Sequence, residues 1–379
     1  MRRALAQARR ASGRSWPNPP VGAVVVRGGR VLGQGFTRPT GGPHAEVVAL
    51  AAARRRHGAA ALRGATLAVT LEPCCHHGRT PPCTDAVLAA GIARVWIGHG
   101  DPNPKARGGL PILRAAGLEV RLGVLEEACR EQHRGFLSRI ERGRPFVTLK
   151  LAATLDGRIA TSRGESRWIT GADARRRVHA LRASSDAVAV GSATAAADDP
   201  ELTARRGGAV VHRPVRVVFD SALSLSPRSR LARGPDPQRT WVLAAPGAAV
   251  RRRRALEAAG VRVLPVARRG GHLDLRRALA LLGREGLNTL LVEGGGDLAA
   301  ALLRADLVDE LHWFAAPAWL GAEGRPALGA LGIRHLGERI VLADARVSRL
   351  GDDLYLRGSV RRAERGEGRR APRPKARRR

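Results

Sequence analysis

Residues 44 to 83 hold a concentration of side chains that can bind a metal ion or move a proton. His44 is followed two positions later by Glu46, and Cys74 and Cys83 come 30 and 39 residues after His44. One imidazole and two thiolates can supply three of the four ligands of a tetrahedral zinc ion and leave the fourth position for water. Glu46 is placed to transfer protons without binding the metal. The combination predicts zinc-dependent hydrolytic deamination of an amine-bearing heterocycle.

The spacing of the two cysteines departs from the commonest form of this signature, in which only two residues separate them. Here Cys74 and Cys83 are nine positions apart, so the intervening segment has to loop out and return. Cys75, His76 and His77 lie in that segment, and each could compete as a ligand. The alternative is a cluster of ordinary loop residues. The coincidence of three ligand types, a glutamate and two prolines argues against that alternative.

A zinc ion at such a centre lowers the pKa of its water from about 15.7 toward about 7, which makes hydroxide available at neutral pH. Glu46 is expected to take the proton of that water. It would then deliver a proton to the ring nitrogen and to the departing ammonia.

The length and cysteine content favour a two-domain protein of the cytoplasm. A chain of 379 residues is long for a single hydrophobic core. The four cysteines are better explained as metal ligands and one packed thiol, Cys129, than as a disulfide framework. No apolar run approaches the roughly 20 residues that a membrane helix needs. The N-terminus lacks the apolar segment of a secretory signal, so no membrane association is expected.

The net charge of +33 invites a nucleic-acid interpretation. Lysine, however, occurs only at positions 105, 150 and 375, and the many arginines are scattered through every segment. This pattern resembles a coding bias toward arginine more than a binding face. We therefore expect no specific nucleic-acid partner, although the positive field would attract phosphorylated substrates.

The order of predicted elements indicates an α/β fold in two domains. Gly143, Arg144 and Pro145 follow a long helical stretch predicted at 125–142, and they are the best domain boundary. The predicted domains are residues 1–143 and 144–360. The charged, proline-containing tail at 361–379 is expected to be disordered.

In the first domain, helices are expected at 1–10, 44–56 and 84–90, and strands at 21–26, 31–35, 67–71 and 95–98. His44 and Cys83 therefore stand at helix starts, and Cys74 follows a strand. In the second domain the clearest strands are 146–151, 215–219, 240–243, 261–265 and 289–293. The last of these leads into Gly294, Gly295 and Gly296, a turn in which backbone N–H groups could approach a phosphate. The turn lacks the spacing of a dinucleotide-binding fingerprint and is weak evidence alone.

Longer motifs in both halves resemble one family. The segments are 70–83 (TLEPCCHHGRTPPC), 17–22 (PNPPVG), 101–104 (DPNP), 154–160 (TLDGRIA), 164–170 (GESRWIT), 197–200 (ADDP) and 292–296 (VEGGG). Together they strongly resemble the bifunctional riboflavin-biosynthesis deaminase/reductase, over about residues 4 to 357.

The resemblance implies a cytidine-deaminase-like three-layer α/β/α domain followed by a dihydrofolate-reductase-like α/β domain. It also implies that the first domain uses zinc to deaminate 2,5-diamino-6-(5-phosphoribosylamino)pyrimidin-4-one, and that the second uses NADPH to reduce the ribosyl group of the product to ribityl. The small-molecule substrate is thus a phosphoribosyl-pyrimidine. The sequence leaves open whether the chain forms a homo-oligomer and whether NADPH is preferred over NADH.

The same resemblance assigns site residues. In the deaminase, His44, Cys74 and Cys83 would bind zinc, Glu46 would be catalytic, and the substrate would contact Asn18, Arg79, Asp101 and Asn103. In the reductase, the cofactor would contact Ala152, Trp168, Thr194, Asp198, Ser221, Gly294, Gly295 and Gly296. The reductase substrate would contact Lys150, Asp156, Ser166, Arg182, Leu202, Arg205 and Glu293. Arg182 and Arg205 suit a 5′-phosphate because guanidinium groups bind phosphate with two hydrogen bonds.

Two other interpretations remain at this point. One is a nucleic-acid base deaminase with an accessory domain, which would use the positive charge to hold RNA. The other is a binding protein with a structural zinc ion. Glu46 argues against the second, because a structural site needs no general base and usually closes its fourth ligand position.

Overall fold

The structure is a computed structural model, and it describes residues 1–362. By their contacts these residues fall into two compact units, one of residues 1–147 with 175–292 and the other of residues 148–174 with the chain from Glu293 onward. This grouping differs from the predicted boundary between residues 143 and 144, which stays a prediction. The predicted tail lies outside the described residues, except for Arg361 and Arg362, which end the last strand.

Helices and strands alternate through the first 142 residues, as the sequence predicts. The strands are β1 (Gly22–Arg27), β2 (Arg30–Phe36), β3 (Thr66–Leu71), β4 (Arg94–His99) and β5 (Glu119–Leu122). The helices are α1 (Arg2–Ala11), α2 (Ala45–His57), α3 (Cys83–Ala89), α4 (Gly109–Ala115), α5 (Glu126–Gln132) and α6 (Arg134–Arg142). The strands form one sheet in the order β2-β1-β3-β4-β5. Strand β1 is antiparallel to both neighbours, and β3, β4 and β5 are parallel.

The core of this sheet holds α2 unusually close to β2. Ala45, Ala49 and Ala53 form the buried face of α2 and are fully buried. A β-carbon at Gly35 would lie 2.6 Å from the carbonyl oxygen of Ala45, and one at Gly33 would lie 2.3 Å from that of Ala49. Such distances are too short for any side chain. The glycines of β2 and the alanines of α2 therefore set the position of the helix that begins just after His44.

The predicted helix at 125–142 is two helices, interrupted at His133. The backbone of His133 leaves the helical region, with φ −98° and ψ 8°. Its fully buried ring is hydrogen-bonded to His99 and to Thr70, on β4 and β3. Tertiary hydrogen bonds thus override the local helical pattern.

Residues 146–362 contain the remaining strands and helices. The strands are β6 (Phe146–Thr154), β7 (Arg158–Ala160), β8 (Ala187–Gly191), β9 (Ala204–Arg206), β10 (Ala209–His212), β11 (Val215–Phe219), β12 (Thr240–Ala244), β13 (Arg262–Pro265), β14 (Arg268–Arg269), β15 (His272–Leu273), β16 (Thr289–Glu293), β17 (Glu310–Ala316), β18 (Arg325–Pro326), β19 (Ile340–Leu350) and β20 (Asp353–Arg362). The helices are α7 (Ala172–Ser184), α8 (Ser192–Asp198), α9 (Arg230–Arg233), α10 (Val250–Ala258), α11 (Leu275–Arg284) and α12 (Gly296–Arg304).

Within the first unit, β13, β12, β11, β8 and β16 lie side by side in that order and are all parallel. Their apolar runs are buried as expected for parallel strands, and Val190, Val218, Val242 and Leu291 belong to one hydrophobic cluster. Parallel strands place their carboxyl ends at the same edge of the sheet, where ligands of α/β proteins commonly bind.

Within the second unit, β6 is parallel to β17, β17 is antiparallel to β20, and β20 forms a hairpin with β19. Strand β7 pairs with β18 in a separate two-stranded ladder. No helix among residues 1–362 has the length and apolar character needed to cross a membrane.

Candidate metal centre and active-site residues

Three predicted ligand atoms converge at the amino ends of α2 and α3. His44 is the N-cap of α2, and Cys83 is the first residue of α3. Cys74 lies beyond the end of β3, and its carbonyl oxygen accepts a hydrogen bond from Thr84 N. The three ligand atoms all lie within 4.8 Å of one another. A strand end and two helix starts therefore bring together residues that are far apart in the sequence.

The spacing of these atoms fits a zinc ion. His44 Nδ1 lies 3.3 Å from the Sγ atom of Cys83 and 3.6 Å from that of Cys74. With Zn–S near 2.3 Å and Zn–N near 2.0 Å, a tetrahedral site places sulfur and nitrogen about 3.5 Å apart. Two sulfur atoms and one imidazole nitrogen are also the donor set that zinc favours. Both the distances and the donor chemistry therefore suit zinc, with one position left for water.

The pKa values of the two thiols shift in opposite directions. The hydrogen bond from Cys83, helped by His44, lowers the pKa of Cys74. The same hydrogen bond and burial raise the pKa of Cys83. A dication would draw both into the thiolate form.

Glu46 lies in the first turn of α2 and is 4% exposed. Burial raises the pKa of Glu46 to about 7, an effect that the nearby His44 only partly offsets. A carboxyl group with a pKa near neutral can both accept and donate a proton at physiological pH. The structure thus places a proton-transfer group next to the three candidate ligands.

The segment between Cys74 and Cys83 forms neither helix nor strand, as its spacing requires. The Sγ atom of Cys75 lies 3.3 Å from the carbonyl oxygen of Arg107. His76 and His77 are exposed. Among residues 1–362, the group that could hold a metal ion consists of His44, Cys74 and Cys83, without these three neighbours.

Glu72 has a role that was not inferred from the sequence. Its carboxylate accepts hydrogen bonds from three main-chain N–H groups: Asp101 at 3.0 Å, Gly108 at 3.1 Å and Leu110 at 2.8 Å. All three donors belong to one loop and the start of α4. Glu72 therefore fastens this loop to the segment that carries Cys74. The hint in the sequence was an acidic residue placed between a buried strand and a metal ligand.

Two of the four predicted deaminase substrate residues lie in the loop that Glu72 holds. Asp101 is 9% exposed, and its carboxylate accepts the Asn103 N–H at 2.8 Å. Burial raises the pKa of Asp101 to about 6, and Glu72 and Cys74 add to this shift. Asn18 lies half-buried in the loop between α1 and β1, and Arg79 is exposed.

Six of the predicted reductase residues lie in the first unit. Thr194 and Asp198 are on α8, and Ser221 follows β11. The other three, Arg182, Leu202 and Arg205, lie on or after α7. The Arg182 guanidinium donates to the Thr203 carbonyl oxygen at 3.1 Å, and Leu202 is buried. Arg205 forms an ion pair with Glu201, which also pairs with Arg230. A phosphate bound by Arg205 would therefore have to share this cation with Glu201.

The other predicted reductase residues belong to the second unit. Lys150 and Ala152 lie on β6, Ser166 and Trp168 lie between β7 and α7, and Glu293 to Gly296 run from the end of β16 to the start of α12. Trp168 is 72% exposed and Glu293 only 6%.

Asp156 has a clear structural role in the second unit. Its carboxylate accepts hydrogen bonds from the Thr154 hydroxyl, from Leu320 N at 3.1 Å and from Gly321 N at 2.8 Å. These bonds, with that from Thr154 the strongest, lower the pKa of Asp156. Asp156 therefore holds the turn after β6 against the loop at 320–321.

Two sequence profiles match the chain, one over each predicted domain. The profile of the cytidine and deoxycytidylate deaminase zinc-binding region matches residues 1–99, and that of the RibD C-terminal domain matches residues 145–356.

Full-length relatives extend the match to nearly the whole chain. The riboflavin biosynthesis protein RibD of Escherichia coli (strain K12) is 40% identical over 368 residues, which cover 94% of this chain and 97% of that protein. The protein of the same name from Aquifex aeolicus (strain VF5) is 40% identical over 357 residues, which cover 94% of this chain and 96% of that protein.

Solved structures agree with these sequence relatives. Acinetobacter baumannii RibD superposes with a TM-score of 0.83 at 34% identity, covering 95% of this chain and 98% of that one. The Thermotoga maritima diaminohydroxyphosphoribosylaminopyrimidine deaminase/5-amino-6-(5-phosphoribosylamino)uracil reductase superposes with a TM-score of 0.80 at 36% identity. The match covers 96% of this chain and 97% of that one.

The fold and the metal centre thus define a two-domain α/β enzyme, in which a cytidine-deaminase-like zinc domain precedes a reductase domain that uses NADPH. The chain belongs to the RibD family of bifunctional deaminase/reductases of riboflavin biosynthesis. The predicted family, fold class, enzyme activities and cofactors are confirmed.

Proposed function

We propose that this chain deaminates 2,5-diamino-6-(5-phosphoribosylamino)pyrimidin-4-one and then reduces the ribosyl group of the product to ribityl. The observation that carries the proposal is the arrangement of His44, Cys74 and Cys83 beside the buried Glu46. The Thermotoga maritima relative, whose structure matches 96% of this chain, is named as both a deaminase and a reductase.

For the deamination, His44, Cys74 and Cys83 would hold a zinc ion, which would lower the pKa of a bound water so that hydroxide is available at neutral pH. Glu46 would accept one proton of the water and pass it to the pyrimidine nitrogen, and it would then carry the remaining hydroxyl proton to the amine, which leaves as ammonia. Asn18, Arg79, Asp101 and Asn103 orient the pyrimidine. Glu72 supports this arrangement, because the loop it fastens carries Asp101 and Asn103.

For the reduction, NADPH would supply a hydride to C1′ of the ribosyl group; the C1′–O4′ bond breaks and O4′ takes a proton, which leaves the open ribityl chain. We assign the cofactor to Ala152, Trp168, Thr194, Asp198, Ser221 and the turn at 294–296. The substrate is assigned to Lys150, Asp156, Ser166, Arg182, Leu202, Arg205 and Glu293, with Arg182 and Arg205 facing the 5′-phosphate. The ion pair with Glu201 holds the Arg205 guanidinium in place before the substrate binds, which supports the assignment of Arg205.

The variant Glu46→Gln separates the two reactions in one preparation of the full chain. Gln keeps the shape of the side chain but cannot accept the proton, so ammonia release should fall by about 10² to 10⁴-fold. Bound zinc should remain, since the three ligands are unchanged. NADPH oxidation should also remain when the deaminated pyrimidine is supplied. Normal ammonia release would remove Glu46 from the mechanism, and loss of the supplied reduction would show that the two sites are not independent.

A location in the cytoplasm and the lack of a specific nucleic-acid partner stay predictions, and self-association stays open. Comparing deamination of the free phosphoribosyl-pyrimidine with deamination of RNA would directly test whether a nucleic acid is a substrate.

A further inference from the structure

The loop that carries Asn18 depends on hydrogen-bond donors from elsewhere in the chain. The segment 17–20 reads Pro-Asn-Pro-Pro, so three of its four residues have no main-chain N–H group. The Asn18 N–H is already bound to the Ser15 carbonyl oxygen at 2.9 Å. The carbonyl groups of Pro17 and Asn18 therefore need side-chain donors to hold the loop in one conformation.

The Ser15 hydroxyl donates to the Asn18 carbonyl oxygen at 3.1 Å, and Asn288 and Arg139 provide the donors from outside the segment. Asn288 Nδ2 lies 3.4 Å from the Pro17 carbonyl oxygen and 3.3 Å from that of Asn18. Arg139 Nη2 donates to the Pro17 carbonyl oxygen at 2.8 Å, and Arg139 Nε donates to Asn288 Oδ1 at 2.7 Å. The Nδ2 group of Asn288 thus faces the loop, and Arg139 holds the Oδ1 atom in place.

Asn288 is itself held rigidly just before β16. Its main-chain N–H donates to Asp186 Oδ2 at 2.9 Å, and its carbonyl oxygen accepts the Phe146 N–H at 2.8 Å. The residue is 3% exposed. Its main chain is therefore held by residues of the region that the reductase profile matches, 145–356, whereas its side chain reaches the first half of the chain.

The turn before β16 lies so close to Pro17 that a side chain at Gly286 would not fit between them. Gly286 has φ +93°, and a β-carbon at this position would lie 2.8 Å from Cβ of Pro17. The turn before β16 thus packs its backbone directly against the loop. In contrast, the hydrogen bonds of Asn18 among residues 1–362 are made by its main chain, so its side-chain amide is available to a ligand.

We propose that Asn288, a residue of the reductase half, is a positioning residue for the deaminase, because it holds Asn18 in the conformation that binds the pyrimidine. This inference rests on the proposed function, in which Asn18 contacts the deaminase substrate. If Asn288 has this role, the parallel sheet of the second half of the chain completes the deaminase site.

The test compares steady-state deaminase kinetics of Asn288→Ala, Asn18→Ala and the double variant, all in the full chain. Asn288→Ala should raise the deaminase KM about tenfold and leave kcat within about twofold, because the loop binds substrate and takes no part in proton transfer. In the Asn18→Ala background, Asn288→Ala should have little further effect, since the two residues act through one contact. NADPH oxidation with supplied deaminated pyrimidine should stay within about twofold.

Two further variants separate positioning from general stability. Asn288→Asp keeps the acceptor for Arg139 but removes the donor to the loop, so it should raise the deaminase KM at least as much as Asn288→Ala. Arg14→Ala is the matched control, because Arg14 Nη2 also donates to a carbonyl oxygen of the second half, that of Val211 at 3.1 Å. It should leave the deaminase KM unchanged.

The outcomes distinguish the inference from the proposed function. If Asn18→Ala leaves deamination unchanged, the assigned role of Asn18 fails. If Asn18→Ala impairs deamination but Asn288→Ala does not, the inference alone fails. Equal losses of both activities in Asn288→Ala, with additive effects in the double variant, would mean that Asn288 only stabilises the fold and would also overturn the inference.

Discussion

His99 and His133 join their rings by a hydrogen bond of 2.8 Å between Nε2 of His99 and Nδ1 of His133. The second nitrogen of each ring is also engaged, by the Gly100 carbonyl oxygen at 2.8 Å and by the Thr70 hydroxyl at 3.2 Å. Burial lowers the pKa of both rings, and that of His133 to about 3. Both rings are therefore neutral in the folded protein at neutral pH.

This pair predicts a loss of stability in mild acid. Between pH 6.5, the ordinary pKa of histidine, and about 3, the unfolded chain binds protons that the folded His133 does not. The free energy of unfolding should therefore fall as the pH drops through this window, by up to about 1.4 kcal/mol per pH unit for each ring. Urea denaturation at pH 7, 6 and 5 measures the slope. His133→Gln should flatten it and the exposed His57→Gln should not; equal slopes in all three proteins would contradict the prediction.

The zinc assignment predicts different results for neighbouring cysteines. Cys74→Ser and Cys83→Ser should each lose bound zinc, because a serine hydroxyl is a poor substitute for a thiolate ligand. Cys75→Ser should retain one zinc per chain, because its sulfur atom contacts the main chain of Arg107. Elemental analysis of the purified variants measures the zinc content. Zinc lost with Cys75→Ser and kept with Cys74→Ser would overturn the ligand set.

Glu72→Gln should weaken deamination without changing the metal content. Gln keeps one carbonyl oxygen but turns an amide N–H₂ toward main-chain N–H groups, so at least one of the three hydrogen bonds is lost. A hydrogen bond to a charged group contributes about 1.5–3 kcal/mol, which corresponds to a fall in kcat/KM of about 10- to 100-fold if the loop must be ordered to bind substrate.

Hydrogen exchange of residues 101–110 measures the same loop directly and should become faster in Glu72→Gln. Glu119→Gln, at an exposed glutamate on β5, is the control and should alter neither measurement. Unchanged exchange in Glu72→Gln would show that the carboxylate is not needed to hold the loop.

A fragment of residues 144–360 should oxidise NADPH when given the deaminated pyrimidine, with or without zinc. Its thermal midpoint should be lower than that of the full chain, because Asn288 loses its partners Arg139, Pro17 and Asn18. Asn288→Ala should therefore change the midpoint less in the fragment than in the full chain. A folded fragment that binds neither NADPH nor the pyrimidine would contradict the predicted domain boundary.

Local patterns were enough to predict the elements that present the metal centre. The buried apolar run of β3 and the glycine after α2 mark these elements in the sequence, and His44 and Cys83 stand at helix starts as predicted. The three side chains that the structure brings together could be selected from the sequence because their residue types are those that bind zinc.

The remaining features depend on partners that are distant in the sequence. His133 interrupts a helical pattern because of hydrogen bonds to residues 34 and 63 positions away. The carboxylate of Glu72 binds N–H groups 29 to 38 positions away, and Asn288 contacts a loop about 270 positions away. Main-chain groups occur at every position, so no sequence pattern indicates which of them a side chain will bind.

The close approach of α2 to β2 makes the metal centre adjustable from a distance. His44 and Glu46 move with α2, whereas Cys74 is carried by the segment after β3. A side chain at Gly33 or Gly35 would clash with the main chain of α2. It would therefore displace the helix and change the nitrogen-to-sulfur distances, although none of the ligand residues is substituted. In a laboratory selection for a different metal ion, substitutions in β2 could therefore alter metal selectivity without replacing any of the ligand residues or Glu46.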